Sequence, residues 1–172
     1  TLRGVVNKAG EPASVLDAAS DHRVLVCTNG EGGATSFENL VIQNGDASSA
    51  FGDSNGGGMY ISRSSPSLTN CTFTGNSAGG NGGGMWNNSS SPTLTDCTFT
   101  GNSADFGCGM FNIYSSSPTL TNCTFTGNSA EKTGGGMYNR NFSNPTLTDC
   151  TFTSNSADER GGGMYNESTP TL

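Results

Sequence analysis

The sequence predicts an all-β solenoid: short parallel strands wound into stacked coils of about 26 residues, three strands to a coil. Three observations predict it. A block running from Ser91-Pro92-Thr93-Leu94-Thr95-Asp96-Cys97-Thr98-Phe99-Thr100 to Ala104 recurs from Ser65, Ser117 and Asn144. A second block, Gly-Gly-Gly-Met-aromatic, ends at Tyr60, Trp86, Tyr138 and Tyr165, with the variant Gly107-Cys108-Gly109-Met110-Phe111 between them. Within each block apolar and polar residues alternate with the strand period of two, and Gly, Asn and Asp punctuate the runs.

Each element of the coil follows from its residues. Thr93-Leu94-Thr95 and Cys97-Thr98-Phe99-Thr100 are strands, and Met85-Trp86 begins the third. Asn70, Asp96, Asn122 and Asp149 mark sharp turns, because these side chains tolerate a positive φ. Leu94, Cys97, Phe99, Asn102 and Met85 point inward and stack on their copies. The core is therefore a set of ladders: Leu68/94/120/147, Phe73/99/125/152 and Met59/85/110/137/164. The inward Asn76/102/128/155 must pair their amides up the column, since a buried amide needs partners.

The chain reads as one domain, 1–172, with 36–172 regular. Phe37 to Ala47 is a degenerate copy in which Leu40 takes the Cys place and Ile42 the Phe place. Residues 1–35 read as one or two irregular first coils, with strands at Leu2–Val6, Ser14–Asp17 and Arg23–Val26. Asp46 to Asn55 reads as a longer inserted loop. Six to seven coils result. The last copy stops at Leu172 partway through a repeat, which predicts either a segment of a longer solenoid or a subunit that stacks head to tail.

Composition agrees with this order. Gly, Ser, Thr and Asn number 26, 23, 21 and 19 of 172 residues, while apolar residues make up 31% and charged residues 12%. A helical bundle is excluded by the scarcity of helix formers. A thin stacked core explains how so few apolar residues suffice.

The motifs also resemble a known repeat class. Phe73-Thr74-Gly75-Asn76, Phe99-Thr100-Gly101-Asn102, Phe125-Thr126-Gly127-Asn128 and Phe152-Thr153-Ser154-Asn155 match F-x-x-N, and the Gly-Gly-Gly-Met blocks are similar to G-G-A-[ILV]. Together, over about residues 34–172, they resemble the polymorphic outer-membrane-protein repeats of bacterial surface proteins and autotransporter passengers. The wider family is the right-handed parallel β-helix of pectin-lyase-like shape. Met in place of Ile, Leu or Val, and Gly in place of Ala, depart from that pattern and alter core filling. The resemblance implies an extracellular or cell-surface protein. It leaves activity open, because the fold hosts lyases, adhesins and fibres.

Chemistry-bearing residues are few. His22 is the single histidine, and no nucleophile motif surrounds it. Asp96 and Asp149 alternate with Asn70 and Asn122, which reads as turn chemistry that spaces like charges, with calcium binding as the alternative. Asp105, Glu131, Asp158 and Glu159 read as a solvated acidic edge, with a stripe that binds hard cations as the alternative. Cys71, Cys97, Cys123 and Cys150 fall in one inward column and read as buried thiols rather than disulfides, and no C-x-x-C pair suggests zinc. The expectation is a non-enzyme without catalytic residues or a cofactor.

The outer surface carries the candidate ligand residues. Thr72, Thr98, Thr124 and Thr151 form one outward column and Thr74, Thr100, Thr126 and Thr153 a second, a T-x-T lattice with steps of about 4.8 Å and about 7 Å. Tyr60, Trp86, Phe111, Tyr138 and Tyr165 form an outward aromatic column that could hold sugar rings or a partner protein, if Met faces inward. The net charge of −7 disfavours nucleic acid, and no apolar run is long enough to span a membrane as a helix. The expected function is structural or adhesive. The expected partners are further copies of the chain, head to tail or side by side, or a cell-surface glycan or protein. The alternatives are an ice-binding solenoid and a carbohydrate-binding or polysaccharide-cleaving β-helix.

Overall fold

The computed structural model describes residues 1–48 and 53–167. The start of the last repeat, 168–172, and the centre of the expected insert, 49–52, lie outside the described residues. The described chain is a stack of six coils, and among the described residues every pairing between strands is parallel. From the second coil on, each coil contributes to four sheets, one more than the three that sequence alternation predicts, and the first contributes to three.

The sheets follow one another round the coil. A leucine sheet contains Leu2–Arg3, Ser36–Glu38, Ser67–Thr69, Thr93–Thr95, Thr119–Thr121 and Thr146–Thr148. A phenylalanine sheet contains Ser14–Asp17, Leu40–Gln43, Thr72–Thr74, Thr98–Thr100, Thr124–Thr126 and Thr151–Thr153. The additional sheet is built on alanine: Asp46–Ala47, Ser77–Ala78, Ser103–Phe106, Ser129–Thr133 and Ser156–Ala157. A methionine sheet closes the coil with Leu25–Cys27, Met59–Ser62, Met85–Asn88, Met110–Ile113, Met137–Asn139 and Met164–Asn166. Asp46–Ala47 is thus a strand, so the insert is shorter than the sequence suggests. Residues 1–35 supply a single coil, with Leu2 paired to Phe37, Val15 to Val41 and Leu25 to Met59.

The ladders form in the expected register. Leu94 pairs with Leu68 and Leu120, Phe99 with Phe73 and Phe125, and Met85 with Met59 and Met110. All nine side chains are buried. Their rings and chains lie in one continuous core with Cys27, Cys71, Cys97 and Cys123. Ile42 pairs with Phe73, as the degenerate copy requires.

Polar columns hold the corners. Asn102 Oδ1 accepts from the Asn76 backbone N–H and from Asn76 Nδ2, at 3.1 and 3.0 Å. Asn102 Nδ2 donates in turn to Phe73 O and Asn128 Oδ1. The same pattern runs on to Asn155, so each buried amide is satisfied by its neighbours. The turn column has the predicted left-handed backbone, with φ of 49° at Asn70, 55° at Asp96, 53° at Asn122 and 52° at Asp149. Within that column Asn122 Nδ2 donates to Asp96 Oδ1 at 2.6 Å.

The last glycine of each triplet makes room for the core. A Cβ on Gly84 would lie 3.0 Å from the Phe99 ring and one on Gly109 2.7 Å from the Phe125 ring. Glycine there lets the phenylalanine column sit directly beneath the methionine sheet.

Candidate functional surface

Alternation that sends Phe inward sends its flanking threonines outward. Thr98 pairs with Thr72 and Thr124, Thr100 with Thr74 and Thr126, and Thr151 and Thr153 complete the columns. Thr151 and Thr153 are exposed and the other six half-buried, because each stacks against its neighbours in the column. The lattice ends at the second coil, where Val41 and Gln43 take the two positions, and then Val15 and Asp17. Hydrogen bonds from Gln43 and from the Ala19 backbone hold the Asp17 carboxyl below its ordinary range.

A second threonine surface adjoins the first. On the leucine sheet Thr93 and Thr95 pair with Ser67 and Thr69 below and with Thr119 and Thr121 above, and Thr146 and Thr148 follow. Thr69, Thr93, Thr119, Thr146 and Thr148 are exposed. The T-L-T spacing already carried this signal, since an inward Leu obliges its flanking residues to face out. The candidate face is thus four columns on two sheets, joined along the Asn/Asp corner. Each threonine offers a hydroxyl that donates and accepts, beside a methyl group.

The aromatic column differs from expectation. Met59, Met85, Met110 and Met137 do face inward, and the aromatics lie on the other side of the sheet. They are nevertheless covered: Trp86 is 7% exposed, Phe111 2% and Tyr138 7%, while Tyr60 and Tyr165 are half-buried. Phe106 and Ile113 pack against them as a second core. The first glycine of each block turns the chain past the ring, close enough that a Cβ on Gly82 would lie 2.9 Å from the Trp86 Cβ. Tyr60, Trp86, Phe111, Tyr138 and Tyr165 therefore form packing and not an open platform for sugars. Arg23 lies over Tyr60, and Glu167 accepts from the Tyr138 hydroxyl at 2.7 Å. Burial, followed by that carboxylate, pushes the Tyr138 hydroxyl up to about 12.

The remaining candidates are placed as follows. His22 is exposed beside Asp21, at 3.5 Å. Asp105 pairs with Lys132, which also lies over the Phe106 ring, and Glu131, Asp158 and Glu159 are exposed. All six cysteines are free thiols, five of them buried. Among the described residues no three His, Cys, Asp or Glu side chains converge as a metal site.

A family defined by the right-handed β-helix region matches residues 20–172. The chain belongs to the right-handed β-helix family. The match covers every coil except the start of the first, and it gives the hand in which the four sheets are wound. No curated protein and no solved structure matches this β-helix closely enough to stand as a relative.

Proposed function

We propose that this β-helix is a non-catalytic structural or adhesive rod of an extracellular or cell-surface protein, working through its two threonine sheets. The register of four columns over four coils, threonine at every position but Ser67, carries this reading, because it offers one repeating hydroxyl and methyl lattice to a partner that itself repeats. Such partners are a polysaccharide, a surface protein, or a second rod packed side by side. The resemblance to polymorphic outer-membrane-protein repeats supports the location, as does the acidic surface.

The test is assembly and binding at the lattice. Sedimentation, electron microscopy and a glycan panel are run on the wild type and on Thr98→Glu with Thr124→Glu. Assembly or glycan binding that is lost in the double variant is expected. Release of cleaved sugars by the wild type, or binding that the variant retains, overturns the reading.

The spacing itself favours one second reading. A flat lattice with steps of about 4.8 and about 7 Å can also order water as an ice-binding face. Thermal hysteresis abolished by Thr98→Tyr would establish it, and its absence in the wild type would dismiss it.

A further inference from the structure

Among the described residues beyond the first coil, two large apolar side chains are exposed, Tyr114 at 55% and Phe142 at 56%. Both stand on the corner between the methionine and leucine sheets, in adjacent coils. That corner changes length along the rod. The step from the inward Met to the buried Ser is five residues in the second and third coils, Met59 to Ser64 and Met85 to Ser90. It is six in the fourth and fifth, Met110 to Ser116 and Met137 to Ser143. The shorter corners turn on one left-handed residue, Arg63 or Ser89. The longer ones turn on two, Tyr114 with Ser115 and Asn141 with Phe142, at φ of 51–63°.

An aromatic side chain on a left-handed backbone is uncommon and strained. Here the strain is accepted in two successive coils, and each time it delivers a ring to solvent instead of to the core. Both corners are pinned. The Ser115 N–H donates to Asn141 O at 2.9 Å, the Asn144 N–H to Ser117 Oγ at 3.0 Å and Asn144 Nδ2 to Phe142 O at 3.1 Å. A ligand lying on the rings therefore meets a base that is already ordered.

The surroundings select the ligand. Residues 114–119 and 141–146 carry no charged side chain, and Arg140, just before the second corner, is paired with Glu167 at 2.9 Å. Beside the rings stand the hydroxyls of Ser115, Ser117, Thr119 and Thr146 and the amides of Asn141 and Asn144. Thr119 and Thr146 are exposed on the leucine sheet, so the rings border the threonine face. A protein partner is poorly served, because its interface needs a contiguous apolar core and these rings stand among polar groups. The net charge of −7 opposes an acidic polymer. A neutral sugar has an apolar C–H face for an aromatic ring and hydroxyls for the polar groups around it. The phenylalanine column measures the coil step at 4.6–4.7 Å, and one exposed ring per coil repeats along the axis as the residues of a polysaccharide do.

We propose that Tyr114 and Phe142 are stacking platforms for a neutral polysaccharide that runs along the rod at the edge of the leucine sheet. This rests on the reading of a repeating partner at the threonine sheets and selects the polysaccharide among its candidates.

Affinity electrophoresis of the full chain in gels containing a mixed-linkage β-glucan, a galactomannan, a xyloglucan or polygalacturonate tests this. Retardation by at least one neutral polymer and none by polygalacturonate is expected. Tyr114→Ala with Phe142→Ala should weaken that binding about tenfold or more, and Tyr114→Phe with Phe142→Tyr should keep it. Far-UV circular dichroism checks that the variants keep their β structure. Should the alanine variant lose it, Phe142→Ser alone, which copies Ser115 of the neighbouring coil, decides by the same loss. No binding to any neutral polymer, a preference for polygalacturonate, or undiminished binding by the folded alanine variant overturns the proposal. In the last case, binding that Thr98→Glu with Thr124→Glu abolishes leaves the threonine reading standing. Binding lost with the rings and kept by the glutamate variant upholds the platforms and overturns the phenylalanine-sheet half of that reading.

Discussion

Two aromatic columns climb this β-helix in the same register and behave differently. Phe73, Phe99, Phe125 and Phe152 stack with centroids 4.6–4.7 Å apart and planes within 3° of parallel. On the outer side of the methionine sheet, Tyr60 and Trp86 tilt by 31°, Phe111 and Tyr138 meet edge to face at 85°, and Tyr138 and Tyr165 at 61°. The backbone pairing is parallel and residue for residue in both columns. Pairing therefore sets the step, while side-chain identity and confinement set the geometry. Identical rings walled in by Gly84, Gly109 and Gly136 have one arrangement. Mixed rings beneath Phe106 and Ile113 each find their own.

The largest effect should come from breaking the regular column. Phe99→Ala removes a fully buried ring that touches rings on both sides, and should cost about 3–5 kcal/mol. Trp86→Phe should cost less than about 1 kcal/mol, because the Trp86 Nε1 is buried with no hydrogen-bond partner and its removal offsets the lost ring area. Urea unfolding of both variants measures the contrast. Equal losses would show that the outer column is as tightly specified as the inner one.

The amide column sharpens the same point with polar groups. Asn102→Leu keeps the volume, leaves the Asn76 backbone N–H unpaired in the core and takes one of its donors from the Phe73 carbonyl. A loss of about 1–3 kcal/mol is expected from the unsatisfied buried N–H. Asn102→Asp, titrated from pH 7 to 4, separates hydrogen bonding from packing: a variant no less stable when charged than when neutral would contradict the need for the amide donor.

What the sequence revealed follows the same divide. The Leu, Phe, Met and Asn ladders are legible because one residue type recurs at one spacing, and a solenoid turns equal spacing into contact. The alanine sheet is not, because Ser-Ala pairs are too short to show alternation. The threonines around Leu94 obey the rule already applied around Phe99, so the second half of the candidate surface was within reach of the sequence. The burial of Trp86 and Tyr138 was out of reach. It depends on Phe106 and Ile113, neither of which recurs in the other coils.

Singular residues should also govern the alkaline limit. Cys108 stands where other blocks carry glycine and packs among the alanines, and burial pushes its thiol up to about 12. Its unfolded value is about 8.5. A raised folded value gives stability that is complete below pH 8.5 and falls away as pH climbs toward 12. Thermal unfolding between pH 7 and 10.5 should show a decline that is shallower in Cys108→Ala. Cys27, raised to about 11, and Tyr138 keep the decline from vanishing. Parallel declines in wild type and variant would mean that the Cys108 thiol is reached by solvent before unfolding.

The smallest effect is expected where a ladder simply stops. Asn87 Nδ2 donates to Asn112 Oδ1 at 2.8 Å, Asn112 donates to Asn139, and Asn139 to Asn166. Below Asn87 the register partner is Ile61, so the Asn87 Oδ1 is buried without a donor. Ile61→Asn would normally be severe, because it puts an amide at a fully buried position. Here the new Nδ2 extends the chain of donors in its existing direction and satisfies the orphaned oxygen. The gain of about 1 kcal/mol from that bond, with the orphan's own penalty removed, opposes the lost burial of an isoleucine, worth about 1.5–3 kcal/mol. A net change within about 1 kcal/mol by urea unfolding is expected, with Ile42→Asn, which faces the phenylalanine column, as the costly control. A loss at Ile61 as large as at Ile42 would show that the amide column gains nothing from length and that each rung is stabilised only by its own coil.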